Sequence, residues 1–394
     1  MILLLAALLA AQGPYDADPK HPWNELHRAL FTWRPTTSRE KIPPGLETDP
    51  LFWPIGFDQW TFSAPLLPVL DGFLERSGDA LVKDPLKRAV LQHDLWMFFD
   101  SLEGQPLGNS RSWPPEDEAA RDAARRRLAR LMRRIALTPE EIRALPDNLA
   151  SAVASGRHAK AFDPAEPERP FLPADLLDPK GPWVLLGRDD GTPVAEQHAK
   201  HFRRSAFFVY ASLPGGAEPT LDYIRALGGL KKAASPDAAP DGSRLLFVRR
   251  LFLLDAEGRA HLSPLTEEVR IRVSPTNFPG VAGLFEFHLN RGDLFSGNGG
   301  GLRAAESQEE AVLFLFNRGC SKEQIRKSCA QCHGAKVQPS VALRYAGRDP
   351  RTLEILVSGV PLRSTTVEQE ADATLKAKEA DKSWTFLRKF WPKE

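Results

Sequence analysis

The sequence is poor in cysteine and methionine, nearly free of net charge, and without a long hydrophobic run. It contains three cysteines and three methionines in 394 residues. Its 52 Lys and Arg residues and 51 Asp and Glu residues give a formal net charge of +1, so we expect no nucleic-acid partner. No stretch after the first dozen residues reaches eighteen apolar residues, so we expect no integral membrane segment in the mature chain.

Proline, by contrast, is abundant. The chain has 34 prolines, well above the usual share of about 5%, and this favours long irregular connections over an all-helical bundle. The hydrophobic fraction of 42% and the charged fraction of 26% exclude a disordered chain and a fibrous repeat. A chain of this length is expected to bury a large core and to form two or three domains.

The first residues have the character of a secretory signal peptide. Residues 1–12, MILLLAALLAAQ, form an apolar run too short to cross a bilayer. The run suits the hydrophobic region of a signal peptide, with Ala10 and Ala11 near a plausible cleavage point. No Lys or Arg precedes it, and a buried N-terminal segment or a misassigned start site are the alternatives. We expect export to the periplasm or the extracellular space.

Hydrophobic periodicity predicts a change from helix to strand along the chain. Residues 13–162 are rich in Pro and Trp, and from about residue 70 their apolar residues recur at three- and four-residue intervals, which predicts helices. Residues 163–182 hold six prolines and are predicted to be a linker. Residues 183–318 are rich in branched and aromatic residues, which predicts strands. The predicted strands lie in WVLLG (183–187), SAFFVY (205–210), RLLFVRRLFLLD (244–255), EVRIRV (268–273) and GLFEFHL (283–289).

Residues 319–394 are predicted to be mostly helical. Asp349 and Pro350 are expected to begin a helix that runs through Leu353 and Val357. The expected fold class is therefore α+β, with a helical N-terminal region, a β-rich middle and a short helical C-terminal segment.

The three cysteines are concentrated in this last segment. Cys320, Cys329 and Cys332 lie within thirteen residues, which does not fit a disulfide framework spread along the chain. Residues 329–333 read Cys-Ala-Gln-Cys-His, the Cys-x-x-Cys-His pattern of covalent haem attachment. On one helical turn the two thiols can reach the two vinyl groups of a porphyrin, and the adjacent His333 can then bind the iron.

The segment RKSCAQCHG (326–334) resembles the attachment site of c-type cytochromes. The resemblance implies one covalently attached haem c, held by Cys329 and Cys332, with His333 as an axial iron ligand. It also implies a redox partner protein. The rest of the chain resembles no characterised family.

Other interpretations of the cysteines stay open. A zinc site would use Cys320, Cys329, Cys332 and His333, although two ligands adjacent in sequence fit poorly around one tetrahedral ion. A thioredoxin-type redox pair would follow a strand and begin a helix, whereas this pair is expected to end one. A disulfide or a chance occurrence of the pattern are the remaining alternatives. Cys320 has no role in the haem interpretation and is either a small buried residue or an oxidisable thiol.

The sequence leaves the sixth iron ligand open. No methionine or histidine follows His333, so the iron is either five-coordinate or closed by a side chain from upstream. His27, in a predicted amphipathic helix, is the first choice among the histidines. Met97 comes next, although it is better suited to filling core space. His288 is expected to face solvent, opposite the phenylalanines of its strand.

Electron transfer through the covalently bound haem is the first functional hypothesis. A haem-dependent redox enzyme of peroxidase type and a haem-based sensor, both with an open iron site, are the alternatives. Six-coordinate low-spin iron that is inert to peroxide and CO would favour electron transfer. Five-coordinate high-spin iron would favour the alternatives.

Two further features receive a structural interpretation. The stretch SGNGGG (296–301) is rich in glycine but lacks the spacing of a phosphate-binding loop, so it is predicted to be a turn or a bulge. The arginines of residues 121–134 are flanked by acidic residues and are predicted to form a solvated face with local ion pairs.

Overall fold

The computed structural model gives the arrangement of most of the chain. It describes residues 16, 18, 20–31, 66–102, 115–163, 165–166, 169–201, 204–228, 240–274, 284–304, 343–346, 354–357, 360–380 and 382–392.

Helices occupy both ends of the described chain and most strands lie between them. The helices are Pro22–Phe31 (α1), Leu66–Glu75 (α2), Gly78–Leu81 (α3), Pro85–Ser101 (α4), Pro115–Arg134 (α5), Pro139–Arg143 (α6), Asn148–Ala154 (α7), Glu196–His201 (α8), Ala217–Gly228 (α9), Arg291–Ser296 (α10), Val367–Glu379 (α11) and Lys382–Phe390 (α12). The strands are Val184–Arg188 (β1), Ser205–Ser212 (β2), Arg244–Leu254 (β3), Ala260–Val273 (β4), Leu284–Leu289 (β5), Leu302–Ala304 (β6), Leu343–Ala346 (β7), Glu354–Val357 (β8) and Leu362–Ser364 (β9).

Local sequence signals determine where several helices begin. Before α4, the Asp84 side chain accepts a hydrogen bond from the backbone N–H of Lys87, and Pro85 occupies the first turn. A capping box begins α6, where the side chains of Thr138 and Glu141 each accept a hydrogen bond from the other's backbone N–H. Among the described helices, none is both long enough and apolar enough to cross a membrane.

The strands form one large antiparallel sheet and one small pair. The large sheet has the order β6-β5-β4-β3-β2-β1-β9, and β7 pairs with β8. Strands β1 to β5 each overlap one of the five predicted segments, although β4 begins at Ala260, eight residues before its predicted start. Together with the helices on either side of them in the sequence, they confirm the predicted α+β class.

The two edges of the large sheet come from strands far apart in the sequence. Strand β6 ends at Ala304 and strand β9 begins at Leu362. Residues 305–361, which include the Cys-x-x-Cys-His motif, therefore connect one edge to the other. With neighbouring strands about 4.8 Å apart, the edges of the described seven strands are separated by roughly 29 Å.

Over β3, β4 and β5 the sheet has an apolar face and a polar face, because successive side chains of a strand alternate. Val269, Phe285 and Phe287 are buried on the apolar face. The His158 ring lies 5.2 Å from the Phe287 ring, and the Phe171 ring lies 6.3 Å from the Phe285 ring. The chain after α7 therefore covers the apolar face.

Aromatic contacts join helix α4 to the C-terminal helix α12. The Trp384 ring of α12 lies 5.2 Å from Trp96 of α4 and 6.3 Å from Phe252 of β3. The Phe390 ring lies 6.1 Å from Phe99. All five side chains are buried in one hydrophobic core, which the N-terminal helices, the sheet and the C-terminal helix share.

Residues 163–182, predicted as a linker, contribute to this core. Phe171, Leu172 and Leu176 are buried there. The prolines of the segment give it an irregular path without removing its apolar contacts.

The prediction of a helix through Leu353 and Val357 is wrong for residues 354–357. Residues 354–357 form strand β8, which pairs with β7. The β-branched residues Ile355 and Val357 favour a strand, and pairing with a neighbouring strand overrides the helix-start signal of Asp349 and Pro350. Residues 347–353 lie outside the described part of the chain.

The glycine-rich stretch is a turn, as predicted. A short 3-10 turn, Asn298–Gly301, follows α10. Gly300 has φ 66°, and a Cβ atom at this position would lie 2.0 Å from the backbone oxygen of Asn148 in α7. Glycine is required here by backbone conformation and by the close approach of α7.

Local ion pairing of the α5 arginines is also confirmed. Within α5, Arg121 lies 2.8 Å from Glu118. Arg127 and Arg134 pair instead with Asp71 of α2 and Asp79 of α3. The prediction of a solvated face is wrong for Arg125. This residue is buried, with its guanidinium 4.4 Å from the centre of the Phe386 ring.

Candidate functional site

The motif that carries the predicted haem site lies outside the described residues. Cys320 and residues 329–333 both fall in the range 305–342, which is not described. Haem attachment there stays a prediction. The structure does place His27 and Met97, the two upstream candidates for the sixth iron ligand.

His27 lies on α1 beside an aromatic ring and near a cluster of charges. Its ring centroid is 5.1 Å from that of Phe31. Loss of water around the ring lowers the pKa of His27 well below its usual value, and the guanidinium groups of Arg291 and Arg28 lower it further. The imidazole is therefore neutral at pH 7, the form in which histidine binds metals.

Met97 fills core space, as its sequence context indicated. It is buried in the hydrophobic core that also contains Met132, which is fully buried. Each thioether is packed among apolar side chains. Both methionines are therefore accounted for as core residues.

The prediction that His288 faces solvent is wrong. Its side chain does lie opposite Phe287, on the polar face of the sheet, but the residue is only 6% exposed. Its cross-strand neighbours are Glu268 on β4 and Arg303 on β6. Its Nε2 atom lies 3.8 Å from Oε2 of Glu286. Alternation along the strand identified the face correctly but carried no information on what buries that face.

Charged side chains of both signs lie on the polar face of β4 and β5, next to Arg249 of β3. Oε2 of Glu268 lies 3.2 Å from Nε of Arg249, and Oε1 of Glu268 accepts a hydrogen bond from Arg270. Arg270 also lies 3.6 Å from Glu286. Burial alone would raise the pKa of Glu268, but Arg270 and Arg249 overcome that effect and lower the pKa to about 2.

A β-bulge adds a second buried glutamate. In the pairing of β3 with β4, Arg249 is opposite Glu268 and Arg250 is opposite Thr266, so Glu267 is an extra residue in β4. The Glu267 side chain is 2% exposed. Because a bulge breaks the strict alternation of side chains, it allows Glu267 to reach the interior next to Glu268.

Helix α4 brings a histidine and an aspartate to this point. Nε2 of His93 lies 3.1 Å from Oε1 of Glu267, and Nδ1 lies 3.8 Å from Oδ1 of Asp94. Ser205 donates a hydrogen bond of 2.6 Å to the other Glu267 oxygen. Arg291, at the start of α10, donates hydrogen bonds of 2.6 and 2.7 Å to the two oxygens of Asp94.

These residues form one connected group, named here the buried ionic cluster. The ion pair of Asp100 with Arg204 is counted with it, because Arg204 lies close enough to lower the pKa of His93. Its members are His93, Asp94, Asp100, Arg204, Ser205, Arg249, Glu267, Glu268, Arg270, Glu286, His288 and Arg291.

The pKa of His93 reflects the environment of the cluster. Burial lowers it to about 4, Asp94 opposes that effect, and Arg204 and Arg291 add to it. A neutral imidazole beside carboxylates in a low-dielectric interior can bind and release protons. Within the described ranges, no three His, Cys, Asp or Glu side chains are grouped so as to hold a metal ion.

His93 and Asp94 were not singled out in the sequence, although a signal for them exists. Residues 89–99 of α4 are buried on every side of the helix, as expected for a core helix. Gln92, His93 and Asp94 interrupt this apolar stretch, and buried polar residues need partners. Gln92 satisfies this need by pairing with both backbone groups of Leu254. No comparable signal marks the bulge at Glu267.

Comparisons with known proteins give no match: no family model, no curated protein and no solved structure is similar to this chain.

Proposed function

We propose that the protein is an exported c-type haem protein with one covalently attached haem. The observation that carries the proposal is the sequence Cys329-Ala-Gln-Cys332-His333 in a chain with a single further cysteine. The apolar run of residues 1–12 supports export, which covalent haem attachment requires.

The donor set at the motif fits haem by its chemistry. Two thiols separated by two residues can form two thioethers, and the neighbouring imidazole can bind iron. Cys329 and Cys332 would hold the haem, and His333 would be the proximal ligand. Bound haem supplies reversible one-electron chemistry between ferrous and ferric iron. Electron transfer to a redox partner is therefore the proposed role.

An open iron site is the second candidate, and the placement of the methionines favours it. Met97 and Met132 are both packed in the hydrophobic core, and neither methionine nor histidine follows His333 in the sequence. If no upstream histidine binds the iron, the sixth position is available to a small molecule. That arrangement supports a haem-dependent redox enzyme or a haem-based sensor. His27 remains the proposed ligand if the site is closed.

The haem proposal is tested by co-expression with a cytochrome c maturation system. Haem staining after denaturing electrophoresis is expected for the full-length protein and is expected to disappear in the double variant Cys329→Ala, Cys332→Ala. Cys320→Ser is the matched control and should keep the stain. Staining that persists in the double variant would refute covalent attachment at this motif. Loss of staining in the control would implicate all three cysteines in a different site.

Absorption spectra then separate the two roles. A low-spin six-coordinate spectrum unchanged by CO supports electron transfer. A high-spin spectrum that shifts with CO supports the open site. If the spectrum is low-spin, a change to high-spin in His27→Ala identifies the ligand, and an unchanged spectrum excludes His27.

A further inference from the structure

His93 occupies an unusual position at the junction of α4, β4 and α10. It is 3% exposed, and both of its ring nitrogens face carboxylates. Nε2 is 3.1 Å from Glu267, and Nδ1 is 3.8 Å from Asp94. A neutral imidazole carries only one N–H group. Whichever nitrogen holds it, the other nitrogen has a carboxylate oxygen nearby.

A second proton on the ring would change this arrangement. The imidazolium would place a positive charge next to two carboxylates, with Oε1 of Glu267 3.1 Å from Nε2 and Oδ1 of Asp94 3.8 Å from Nδ1. Nε2 makes no hydrogen bond to the described residues in this arrangement, so the stabilisation comes from the attraction between opposite charges. The two carboxylates therefore favour the charged form through their charge, while burial favours the neutral form. These two effects oppose each other, and their balance sets the pH at which His93 takes up a proton.

Four charged groups from different parts of the fold lie near His93. Asp94 is on the same helix, Glu267 is on the bulge of β4, Arg204 directly precedes β2, and Arg291 begins α10. Arg291 pairs with both oxygens of Asp94, which weakens the attraction of Asp94 for a proton on His93.

Glu267 is held in place by other members of the cluster. Ser205 donates to one of its oxygens, and Nε of Arg249 lies 3.6 Å from that same oxygen. The oxygen nearest His93 is Oε1, the other one. The carboxylate is thus fixed with one oxygen directed at the imidazole.

We propose that His93 is an internal proton-binding site, which takes up one proton on acidification and holds it between Asp94 and Glu267 while the protein stays folded. The ring nitrogen that lacks hydrogen accepts the proton, and no other bond changes. The fold then carries a pH-sensitive positive charge where helix α4 meets the sheet. This proposal does not depend on haem attachment.

The test is an NMR titration of the full-length protein with isotope-labelled histidine, read alongside its backbone amide spectrum. The His93 ring signals, assigned by their absence in His93→Gln, should be those of a neutral imidazole at pH 7. They should change to those of an imidazolium at a midpoint near pH 4, with the amide spectrum still that of the folded protein. A ring that is already charged at pH 8, or one that stays neutral until the amide spectrum collapses, would overturn the proposal.

The variant Glu267→Gln tests the role of the bulge. Its side chain can still accept from Ser205, but it no longer attracts a proton to His93. Proton affinity should fall at least tenfold, which lowers the midpoint by one pH unit or more. The matched control is Glu257→Gln, at an exposed position, which should leave the midpoint unchanged. An unchanged midpoint in Glu267→Gln would contradict the proposed site. If that variant does not fold, the titration of the wild-type protein still decides the proposal.

Discussion

At the scale of single residues, the described fold accepts ionisable groups in its interior and adjusts their pKa values in opposite directions. Arginines hold the pKa of Glu268 near 2 and burial holds that of His93 near 4, whereas burial raises the pKa of Glu370 to about 7. Each shift links folding to proton binding. The pH dependence of stability therefore reports on individual side chains.

His93 is expected to make the protein less stable in mild acid. Its pKa is 6.5 in the unfolded chain and about 4 in the fold, so the unfolded state binds the proton first as the pH falls. Above pH 6.5 this group does not change the free energy of unfolding. Between pH 6.5 and 4, protonation of the unfolded chain lowers that free energy by up to about 3 kcal/mol. In urea unfolding, His93→Gln should lose less stability than the wild type over this window. Equal pH slopes for His93→Gln and wild type would contradict this expectation.

Glu370 should have the opposite effect. Its carboxyl accepts a hydrogen bond of 2.9 Å from the backbone N–H of Val194, and it is buried, with Arg188 and Arg363 nearby. Because the folded state keeps its proton up to about pH 7 while the unfolded state releases it near 4.5, stability falls as the pH rises through this window. The loss is up to about 3 kcal/mol above pH 7.

The variant Glu370→Gln tests this effect, because glutamine can still accept from Val194. Its unfolding free energy should change less than that of the wild type between pH 4.5 and 7. The exposed neighbour Asp372→Asn should keep the wild-type profile. A Glu370→Gln profile parallel to that of the wild type would show that the carboxyl is already ionised in the fold.

At the scale of elements, backbone approach fixes how helix α7 packs. Gly299 and Gly300 both have positive φ angles, but a Cβ atom at Gly299 would meet nothing within 4 Å, whereas one at Gly300 would clash with Asn148. Gly299→Ala should cost about 1 kcal/mol from its backbone conformation alone. Gly300→Ala should cost at least twice that. Equal losses in urea unfolding would mean that α7 moves freely away from the turn.

The same helix is tied to the bulged strand by one side chain. Asn148 donates a hydrogen bond of 2.9 Å to the backbone oxygen of Thr266 and accepts one of 2.6 Å from its N–H. Asn148→Ala leaves both buried backbone groups without these bonds and should cost about 2–4 kcal/mol in denaturant unfolding. Ser151→Ala, on the exposed side of α7, should stay within about 0.5 kcal/mol of the wild type. A similar small loss for Asn148→Ala would show that water replaces the amide.

Sequence patterns predicted the elements better than their connections. Alternation and branched residues were enough for strands β1 to β5, because each signal lies within a few residues. Strand β8 was predicted as part of a helix because of the helix-start signal at Asp349 and Pro350. Its structure is decided instead by pairing with strand β7. The bulge at Glu267 and the buried contacts of His288 arise only when several strands come together. The sequence shows that these residues are ionisable, but it does not show which side chains they contact in the fold.

At the scale of the whole molecule, the shared core predicts cooperative unfolding. Trp384 of α12 packs against Trp96 of α4 and Phe252 of β3. Circular dichroism and tryptophan fluorescence should therefore give coincident unfolding transitions. Trp384→Ala should lower stability by about 3–5 kcal/mol by both probes. Separate transitions would show that the C-terminal helix unfolds independently of the sheet.

The proposal that matters most for function is covalent haem at Cys329 and Cys332. The most direct measurement is mass spectrometry of the tryptic peptide 328–336 from protein made with a cytochrome c maturation system. The account predicts a peptide heavier by one haem, with both cysteines resistant to alkylation after reduction. A peptide that lacks the mass of haem and carries two alkylated cysteines, from protein exported by the same cells, would contradict it.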